Sequence, residues 1–466
     1  MQNQCRTLLI TCLLGPLLAC QQSPNKPESI VAAQLHQSAL GSNLAYDLVE
    51  SLTVEVGPRL AGSDKDLVAV QWAENKLNQL GFDKVYKEAV QVPVWSRGAA
   101  KAELISPYPQ SIVITALGGS ISTPKQGITA AIVRFDSLAT LESAQADNIK
   151  GKIVFIDNVT KRHMTGKGYS ETVGGRSKGA VAASKKGAVA IVIRSIGTDH
   201  DRMAHTGMMR YQDGIAKIPA AAMSNPDAEQ INLMLKRDPN VILKLTMSPQ
   251  SQGYANSYNV IAEITGSSKP EEIVLIGAHL DSWDEGTGAI DDGAGVAIVT
   301  AAAKLIQQLP SKPARTIRIV LFAAEEVGIV GAKAYAKAHK HELDKHYIAA
   351  ESDFGAGNIY QIDYRVNEAN LGALHQLSTV MANNGVKLGS NTASGGPDVS
   401  ILPAQGVPVA SLRQNGQDYF DYHHTPNDTL DKIDPAQLQQ NVAVYAQFAY
   451  LMAQSDVELR PIATTQ

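Results

Sequence analysis

Histidine and acidic residues follow short apolar runs at several points in the C-terminal half of the chain. They are His279, Asp281, Asp291, Glu325, Glu326, Asp353, His423 and His424. Imidazole nitrogens and carboxylate oxygens are ligands that Zn²⁺ accepts. The set can hold two zinc ions and still leave one carboxylate free to act as a base, which predicts a hydrolase.

The apolar runs predict buried parallel strands that end next to these groups. Ile273–Ile276 is rich in β-branched residues and precedes His279, and a second run that begins at Ile317 precedes Glu325 and Glu326. In an open α/β sheet, the ligand crevice lies outside the carboxyl ends of the strands. We therefore expect the polar groups to lie at a ligand site.

The segment GTGAIDDGAG, residues 286–295, predicts a tight turn followed by a helix. Its glycines let the backbone turn sharply and approach an ion closely. Asp291 lies at that turn, and its two carboxylate oxygens can bridge two metals. Taken singly, each motif is also compatible with a structural role, such as a helix cap or a solvated pair. Their recurrence at strand ends within one α/β region favours a metal site.

Six motifs resemble the M28 family of co-catalytic zinc exopeptidases, and within it the plasma glutamate carboxypeptidase group. They are GPRLAGS (57–63), HLDSWDEGTGAIDDGAG (279–295), AAEEVG (323–328), ESDFG (351–355), GGPDVS (395–400) and HHTPNDT (423–429). The resemblance covers most of the chain from about residue 28 onward. It implies an α/β fold, with a mixed, mainly parallel sheet flanked by helices.

Carried over motif by motif, the resemblance implies two Zn²⁺ per chain and a role for each ligand. Asp291 bridges the ions, His279 and Asp353 complete one site, and Glu326 and His424 complete the other. Glu325 is the general base, and Asp281 holds the His279 ring in the required tautomer. His424 is preferred to His423 because the family pattern places an acid and Thr at the spacing of Asp428 and Thr429. His423 stays open as the alternative.

The first twenty residues predict an export signal. The apolar stretch Leu8–Ala19 follows a weakly positive start and is shorter than the roughly 20 residues that span a bilayer. Residues 17–20 resemble a bacterial lipobox, which predicts lipidation of Cys20 and anchoring to the outer membrane. Residues 21–27 then form a tether. The alternative is ordinary cleavage near Ala19 and a periplasmic or secreted product.

Cysteine placement and composition narrow the class further. All three cysteines lie within the first twenty residues, so the mature chain forms no intrachain disulfide. The formal net charge of −4 argues against a nucleic-acid partner. Membrane contact is expected only through the lipid anchor, and a homodimer is implied only by the family resemblance.

The chain is long enough for two domains. Residues 28–104 and 251–466 form the predicted peptidase domain. Residues 105–250 resemble an inserted, β-rich protease-associated domain. Within this insert we expect strands at 131–134, 152–156 and 188–193 and a helix at 178–186.

The insert also contains His163, His200 and His205. A second metal site is conceivable there, but polar loop histidines near the mouth of the cleft are the favoured interpretation. The stretch His205–Pro219 is predicted to cover the cleft and to limit substrate size.

The resulting hypothesis is an exopeptidase of the aminopeptidase or dipeptidase type that acts on short, unblocked peptides. A carboxypeptidase is the alternative, with Arg413 able to bind a carboxylate. Tyr364, Asp398 and Tyr422 are further candidate pocket residues. A glutaminyl cyclase with one zinc and a non-catalytic binding module are rivals that the complete ligand set disfavours.

Overall fold

The computed structural model describes residues 27–462. The predicted leader, the lipidation site Cys20 and the tether up to residue 26 lie outside the described residues. Within 27–462, no helix is both long enough and apolar enough to cross a membrane.

The described strands form two eight-stranded sheets. In chain order they are β1 (Lys84–Ser96), β2 (Ala100–Ser106), β3 (Gln110–Ile112), β4 (Ile114–Ala116), β5 (Ile128–Phe135), β6 (Ile153–Ile156), β7 (Ala190–Arg194), β8 (Ala220–Met223), β9 (Ile242–Met247), β10 (Gln250–Ile264), β11 (Lys269–His279), β12 (Arg315–Phe322), β13 (His346–Glu351), β14 (Ile359–Arg365), β15 (Lys387–Leu388) and β16 (Val409–Gln414). The α-helices are α1 (Pro27–Leu40), α2 (Leu44–Ser51), α3 (Asp64–Gln79), α4 (Leu138–Ser143), α5 (Lys167–Lys185), α6 (Asn225–Arg237), α7 (Ala294–Gln307), α8 (Val330–Ala338), α9 (Leu371–Ser378), α10 (Tyr419–Tyr422) and α11 (Pro435–Gln454).

The first sheet has the strand order β1-β10-β12-β11-β13-β16-β14-β15. Its centre is parallel, since β12, β11, β13 and β16 run in one direction. Toward the edges, β1, β10 and β14 pair antiparallel with their neighbours. This architecture confirms the predicted α/β fold with a mixed sheet between helices.

Both faces of the central strands are buried, which explains their continuous apolar runs. Successive side chains of a strand point to opposite faces. Val274 and Ile276 of β11 therefore pack in the layer that contains α7 and α11, whereas Ile273 and Leu275 pack in the layer that contains α8. The strand can end in polar residues only at its carboxyl edge, where His279 lies.

The second sheet has the order β3-β2-β9-β5-β6-β7-β8-β4 and extends from Ala100 to Met247. It therefore begins five positions before the predicted boundary at residue 105. The predicted strands at 131–134, 152–156 and 188–193 overlap β5, β6 and β7. Helices α4 and α5 contribute to the core on one face and α6 to the core on the other. The identification of this unit as a protease-associated domain stays a prediction.

Helix α5 begins at Lys167, not at the predicted residue 178. The glycines in its first half lower the intrinsic helix propensity. Packing explains Gly168 among them, because a Cβ there would overlap the Lys161 carbonyl. Farther along the helix, a Cβ on Gly179 would lie 2.9 Å from Ile191 Cδ1 and 3.1 Å from Ile156 Cδ1. The missing side chains let the helix approach the sheet closely, and this packing outweighs the propensity.

Trp283 connects the two sheets through the packing of its side chain. It lies just beyond β11 of the first sheet, yet its ring packs in the core of the second. It meets the Trp95 ring edge-on with centroids 6.3 Å apart, and a Cβ on Gly118 would overlap it. The loop that begins at His279 is therefore held by both sheets.

His346, at the start of β13, predicts a pH dependence of stability. Its Nδ1 donates to the Glu342 carbonyl at 2.9 Å, its Nε2 accepts from the Tyr335 hydroxyl at 2.7 Å, and burial lowers its pKa to about 4. In the unfolded chain the pKa is near 6.5. Below pH 6.5 the unfolded state binds a proton that the folded state does not. Stability that is complete above that pH is therefore lost as the pH falls toward about 4, by up to about 3 kcal/mol.

Urea unfolding of the wild type and of His346→Gln at pH 7, 5.5 and 4.5 measures this effect. We expect the variant to lose less stability than the wild type over this range. Equal losses in both proteins would contradict the assignment to His346.

Candidate metal centre

The carboxyl ends of three adjacent parallel strands bring the candidate ligands together. His279 ends β11, Glu325 and Glu326 follow β12, and Asp353 follows β13. Asp291 approaches from the glycine-rich turn before α7. Residues separated by more than 70 positions in sequence thus share one buried site.

Asp291 lies between the two halves of this site. Its Oδ1 is 3.1 Å from His279 Nε2, and its Oδ2 is 3.3 Å from His424 Nε2. On the first side, His279 Nε2 is also 3.6 Å from Asp353 Oδ1. On the second side, His424 Nε2 is 3.1 Å from Glu326 Oε2. One carboxylate therefore presents one oxygen to each of two ligand pairs.

Asp428 holds the turn that carries Asp291. Its Oδ1 accepts the backbone N–H of Ile290 at 2.7 Å, and its Oδ2 accepts that of Asp291 at 3.3 Å. Burial raises the pKa of Asp428 to about 7. In the sequence, Asp428 served only to choose between His423 and His424. In the structure, its carboxylate also holds the backbone of the turn that carries Asp291.

Arg59 stabilises the loops that surround this site. It was not among the functional residues predicted from the sequence. Its buried guanidinium donates to the carbonyls of Leu280 at 2.6 Å, Thr287 at 2.7 Å and Gly288 at 2.9 Å. It therefore joins the loop after β11 to the turn before Asp291. The GPRLAGS motif was the available signal, but it was used only for the family resemblance.

Asp281 supports the site through its backbone as well as its carboxylate. His279 Nδ1 donates to the Asp281 backbone carbonyl at 3.0 Å, while the nearest Asp281 carboxylate oxygen is 3.6 Å away. The carboxylate accepts the backbone N–H groups of Glu325 at 3.0 Å and Glu326 at 3.3 Å. The carbonyl thus leaves His279 Nε2 free as a ligand, and the carboxylate anchors the two glutamates.

His424 has a left-handed backbone, with φ of 60°, which is uncommon for a residue with a side chain. Its Nδ1 donates to the Thr206 carbonyl at 3.2 Å, and this contact directs Nε2 toward Asp291 and Glu326. His423 stacks on it, with ring centroids 3.5 Å apart, and its Nε2 is 3.6 Å from Asp291 Oδ2. His424 therefore meets two carboxylates and His423 one.

Charge in the site is concentrated and largely shielded from water. Burial opposes ionisation of Asp291, but the adjacent imidazoles of His279 and His424 outweigh it and hold the pKa of Asp291 well below its usual range. Burial lowers the pKa of His424, but the charges of Glu326 and Asp291 outweigh it and raise that pKa to about 9. Burial, together with the negative charges of Asp353 and Glu326, raises the pKa of Glu325 well above its usual range.

The donors fit a metal ion. Asp291 Oδ2 and Glu326 Oε1 are buried and have no hydrogen-bond partner in the described part of the chain. A buried carboxylate oxygen without a partner is costly unless a cation compensates it. Three sets of groups lie close enough to share one ion: Asp291 with His423 and His424, His279 with Asp292 and Asp353, and His279 with Asp291 and Glu326. Nitrogen and oxygen donors of this kind suit zinc.

A cavity of about 1230 Å³ opens over these residues. Glu325, Asp353 and the two histidines lie on one side, and helix α5 and residues 208–212 of the second sheet's unit lie on the other. The predicted covering stretch, His205–Pro219, therefore contributes residues to the wall. Its effect on substrate length stays a prediction.

The structure does not bring the other candidate pocket residues into this cavity. Tyr364 is fully buried in the core, where its hydroxyl is 2.5 Å from Ser378 Oγ. Asp398 is buried as well, and Tyr422 lies beside the ammonium of Lys432. Arg413 donates to Asp363 at 2.6 Å and lines a separate cavity of about 310 Å³.

The three histidines of the insert do not converge. His163 and His200 are exposed, whereas His205 is buried. His205 Nδ1 donates to the His423 carbonyl at 2.8 Å, and its Nε2 lies 2.5 Å from Asp199 Oδ1. Within residues 27–462, no metal-binding group contains any of the three. The location of His205 instead supports the loop of His423 and His424.

Comparison with known proteins agrees with the geometry. The model of peptidase family M28 matches residues 259–449. Carboxypeptidase Q of Mus musculus is 37% identical over 432 residues, which span 92% of this chain and 90% of the relative. A crystal structure of a peptidase M28 precursor from Shewanella amazonensis SB2B is 67% identical, has a TM-score of 0.93 and covers 94% of this chain and 99% of its own.

A zinc aminopeptidase from Bacillus subtilis shares the fold at 20% identity, with a TM-score of 0.64 over 90% of this chain and 97% of its own. The chain belongs to peptidase family M28. It is a metallo-exopeptidase, a hydrolase that acts on peptide bonds. The family resemblance of the sequence is thereby confirmed.

The two adjacent histidines can be separated by metal binding. We expect His424→Ala to weaken zinc affinity by more than about 100-fold, because it removes the group that meets both Asp291 and Glu326. We expect His423→Ala to weaken it less. Equilibrium dialysis with metal analysis measures both variants, and a larger loss in His423→Ala would reverse the assignment.

Proposed function

We propose that this protein is an exported exopeptidase that uses two zinc ions to hydrolyse short, unblocked peptides. The observation that carries the proposal is the position of Asp291, with Oδ1 at 3.1 Å from His279 and Oδ2 at 3.3 Å from His424. His279 and Asp353 would hold one ion, and Glu326 and His424 the other. Asp291 would be shared between them.

Zinc bound at such a pair lowers the pKa of a water toward about 7 and polarises the scissile carbonyl. Glu325 lines the cavity. Among the described residues, Asp291 and Glu326 form ion pairs with His279 and His424, whereas Glu325 forms none with either histidine. Its raised pKa suits a carboxylate that accepts a proton and then donates it to the leaving amine. Asp281 fixes the direction of the Glu325 backbone through the hydrogen bond at 3.0 Å.

Two observations support short peptides with a free end as substrates. The site lies in a cavity whose walls come from both sheets, and such a cavity suits the end of a chain better than its middle. One family relative is named a carboxypeptidase and another an aminopeptidase, so either free end is a candidate for recognition. The aminopeptidase or dipeptidase mode is our proposal, and the carboxypeptidase mode is the alternative.

The proposed cellular location of the protein depends on the predicted leader, residues 1–20. We propose that residues 1–20 direct export, that Cys20 is lipidated and that the catalytic part is held at the bacterial envelope by this anchor. Residues 100–247 would serve as the protease-associated insert that covers the site.

The proposal is tested by hydrolysis of a free dipeptide and of its N-acetylated counterpart, with protein that lacks residues 1–20 and with zinc supplied. We expect cleavage of the free form alone. Equal cleavage of both would shift the assignment to a carboxypeptidase. Failure on a panel of free dipeptides with varied side chains would contradict the proposed function.

The role of Glu325 is tested by Glu325→Gln. We expect kcat to fall by about 100- to 10,000-fold with the zinc content unchanged, because the base is lost while the ligands remain. The matched variant Glu326→Gln should lose zinc as well as activity. A near wild-type kcat in Glu325→Gln would show that another group accepts the proton.

A further inference from the structure

The wall opposite the acidic floor of the cavity carries positive charge. Helix α5 and the segment after it supply Arg176, Lys178, Lys185, Lys186 and Arg210 to the lining. Of these, Arg176 alone is buried, at 8% exposure. Its Nη1 is 3.4 Å from His424 Nδ1, so the guanidinium packs beside a proposed metal ligand, at the ring nitrogen that does not meet Asp291 and Glu326.

Arg176 forms no ion pair among the described residues, and its Nε has no hydrogen-bond partner there. Arg194 pairs with Asp157 at 2.6 Å, and Arg318 pairs with Glu263 at 2.7 Å. Arg59 lacks a carboxylate contact, but carbonyls accept from all three of its nitrogens. A buried cation without a carboxylate is costly unless a bound anion compensates it.

The donors of Arg176 are only partly used. Its Nη2 donates to the Tyr169 hydroxyl at 2.6 Å, and its Nη1 reaches the Thr206 carbonyl at 3.3 Å. Its Nε is buried and has no partner. A guanidinium has five N–H donors arranged to meet a carboxylate with two hydrogen bonds. Part of the hydrogen-bonding capacity of Arg176 is therefore unused, and the residue lines the cavity.

The guanidinium is held in place by its surroundings. It lies over the Tyr169 ring, 5.4 Å from the centroid. Gly207 packs against it, and a Cβ at that position would overlap the guanidinium. Its rotamer is therefore fixed before a ligand arrives, which lowers the entropic cost of binding an anion.

We propose that Arg176 binds the free α-carboxylate of the substrate and thereby selects peptides with a single residue after the scissile bond. This inference rests on the proposed function. One residue spans about 3.3–3.6 Å of extended chain. A carboxylate one residue beyond a carbonyl at the proposed metal centre would lie within reach of Arg176, whereas the carboxylate of a longer peptide would lie farther away.

Arg413, the sequence-based candidate for this role, is less suitable. Its guanidinium donates to buried Asp363 at 2.6 Å, and that carboxylate already compensates its charge. It also lines a different cavity from the one that contains Glu325.

The test compares a free dipeptide with the same dipeptide carrying a C-terminal amide. In the wild type we expect kcat/KM to be about 100-fold higher for the free acid. Arg176→Gln should remove most of this preference, mainly through KM for the acid, and should change the amide by less than about threefold. Arg176→Lys should restore part of the preference. Lys178→Gln, which removes an exposed charge on the same helix, should leave it unchanged.

A purely structural role for Arg176 would lower kcat/KM for the acid and the amide equally, and this result would overturn the proposal. Equal rates for the two substrates in the wild type would overturn it too. Calorimetric binding of both peptides to zinc-loaded Glu325→Gln, with and without Arg176→Gln, decides the matter without turnover. If the wild type cleaved neither peptide, the proposed function would fail. The carboxylate site would then stand only if the acid bound more tightly than the amide and lost that advantage with Arg176.

Discussion

The concentration of negative charge at the end of the central strands is the constraint on which the rest of this structure depends. Asp281, Asp291, Asp292, Glu326 and Glu351 are all buried there. Burial raises the pKa of Asp292 and Glu326, so the ionised state of this group is costly in the absence of cations. Because unfolded chains lack a preformed site, binding of metal ions to these residues would also stabilise the fold.

The chain meets this constraint with backbone donors and a small number of cations. The carboxylates of Asp281 and Asp428 accept backbone N–H groups and so hold the glutamate pair and the Asp291 turn. Arg59 places a buried positive charge beneath the same loops. The positions of these supporting groups therefore matter as much as the positions of the ligands. A shift of the loop after β11 or of the Asp291 turn would separate the Asp291 oxygens from their partners.

The sequence was sufficient for the parts of the site that local pattern determines. The buried strands are continuous apolar runs in the sequence, and the polar residues His279 and Glu325, three positions after Ile276 and Phe322, were therefore expected at a sheet edge. Contacts formed across the fold were beyond reach, because nothing in the sequence around Thr206 shows that its carbonyl meets His424. Tyr364 and Arg413 were chosen from polar character and neighbouring motifs, but Tyr364 points into the core and Arg413 pairs with Asp363. The first half of α5 was not predicted, since its glycines lower the helix propensity and the packing that accommodates them is tertiary.

The contact between Thr206 and His424 constrains how the cavity can open. The Thr206 N–H donates to the His424 carbonyl at 3.0 Å, and the Thr206 carbonyl accepts from the His424 ring at 3.2 Å. A left-handed backbone at a residue with a side chain persists only where its neighbours enforce it. Movement of the second sheet away from the first would break these two hydrogen bonds. His424 would then be free to leave its left-handed conformation, and its binding of an ion would weaken. Passage of peptides and products through the existing mouth of the cavity would leave both of these hydrogen bonds intact.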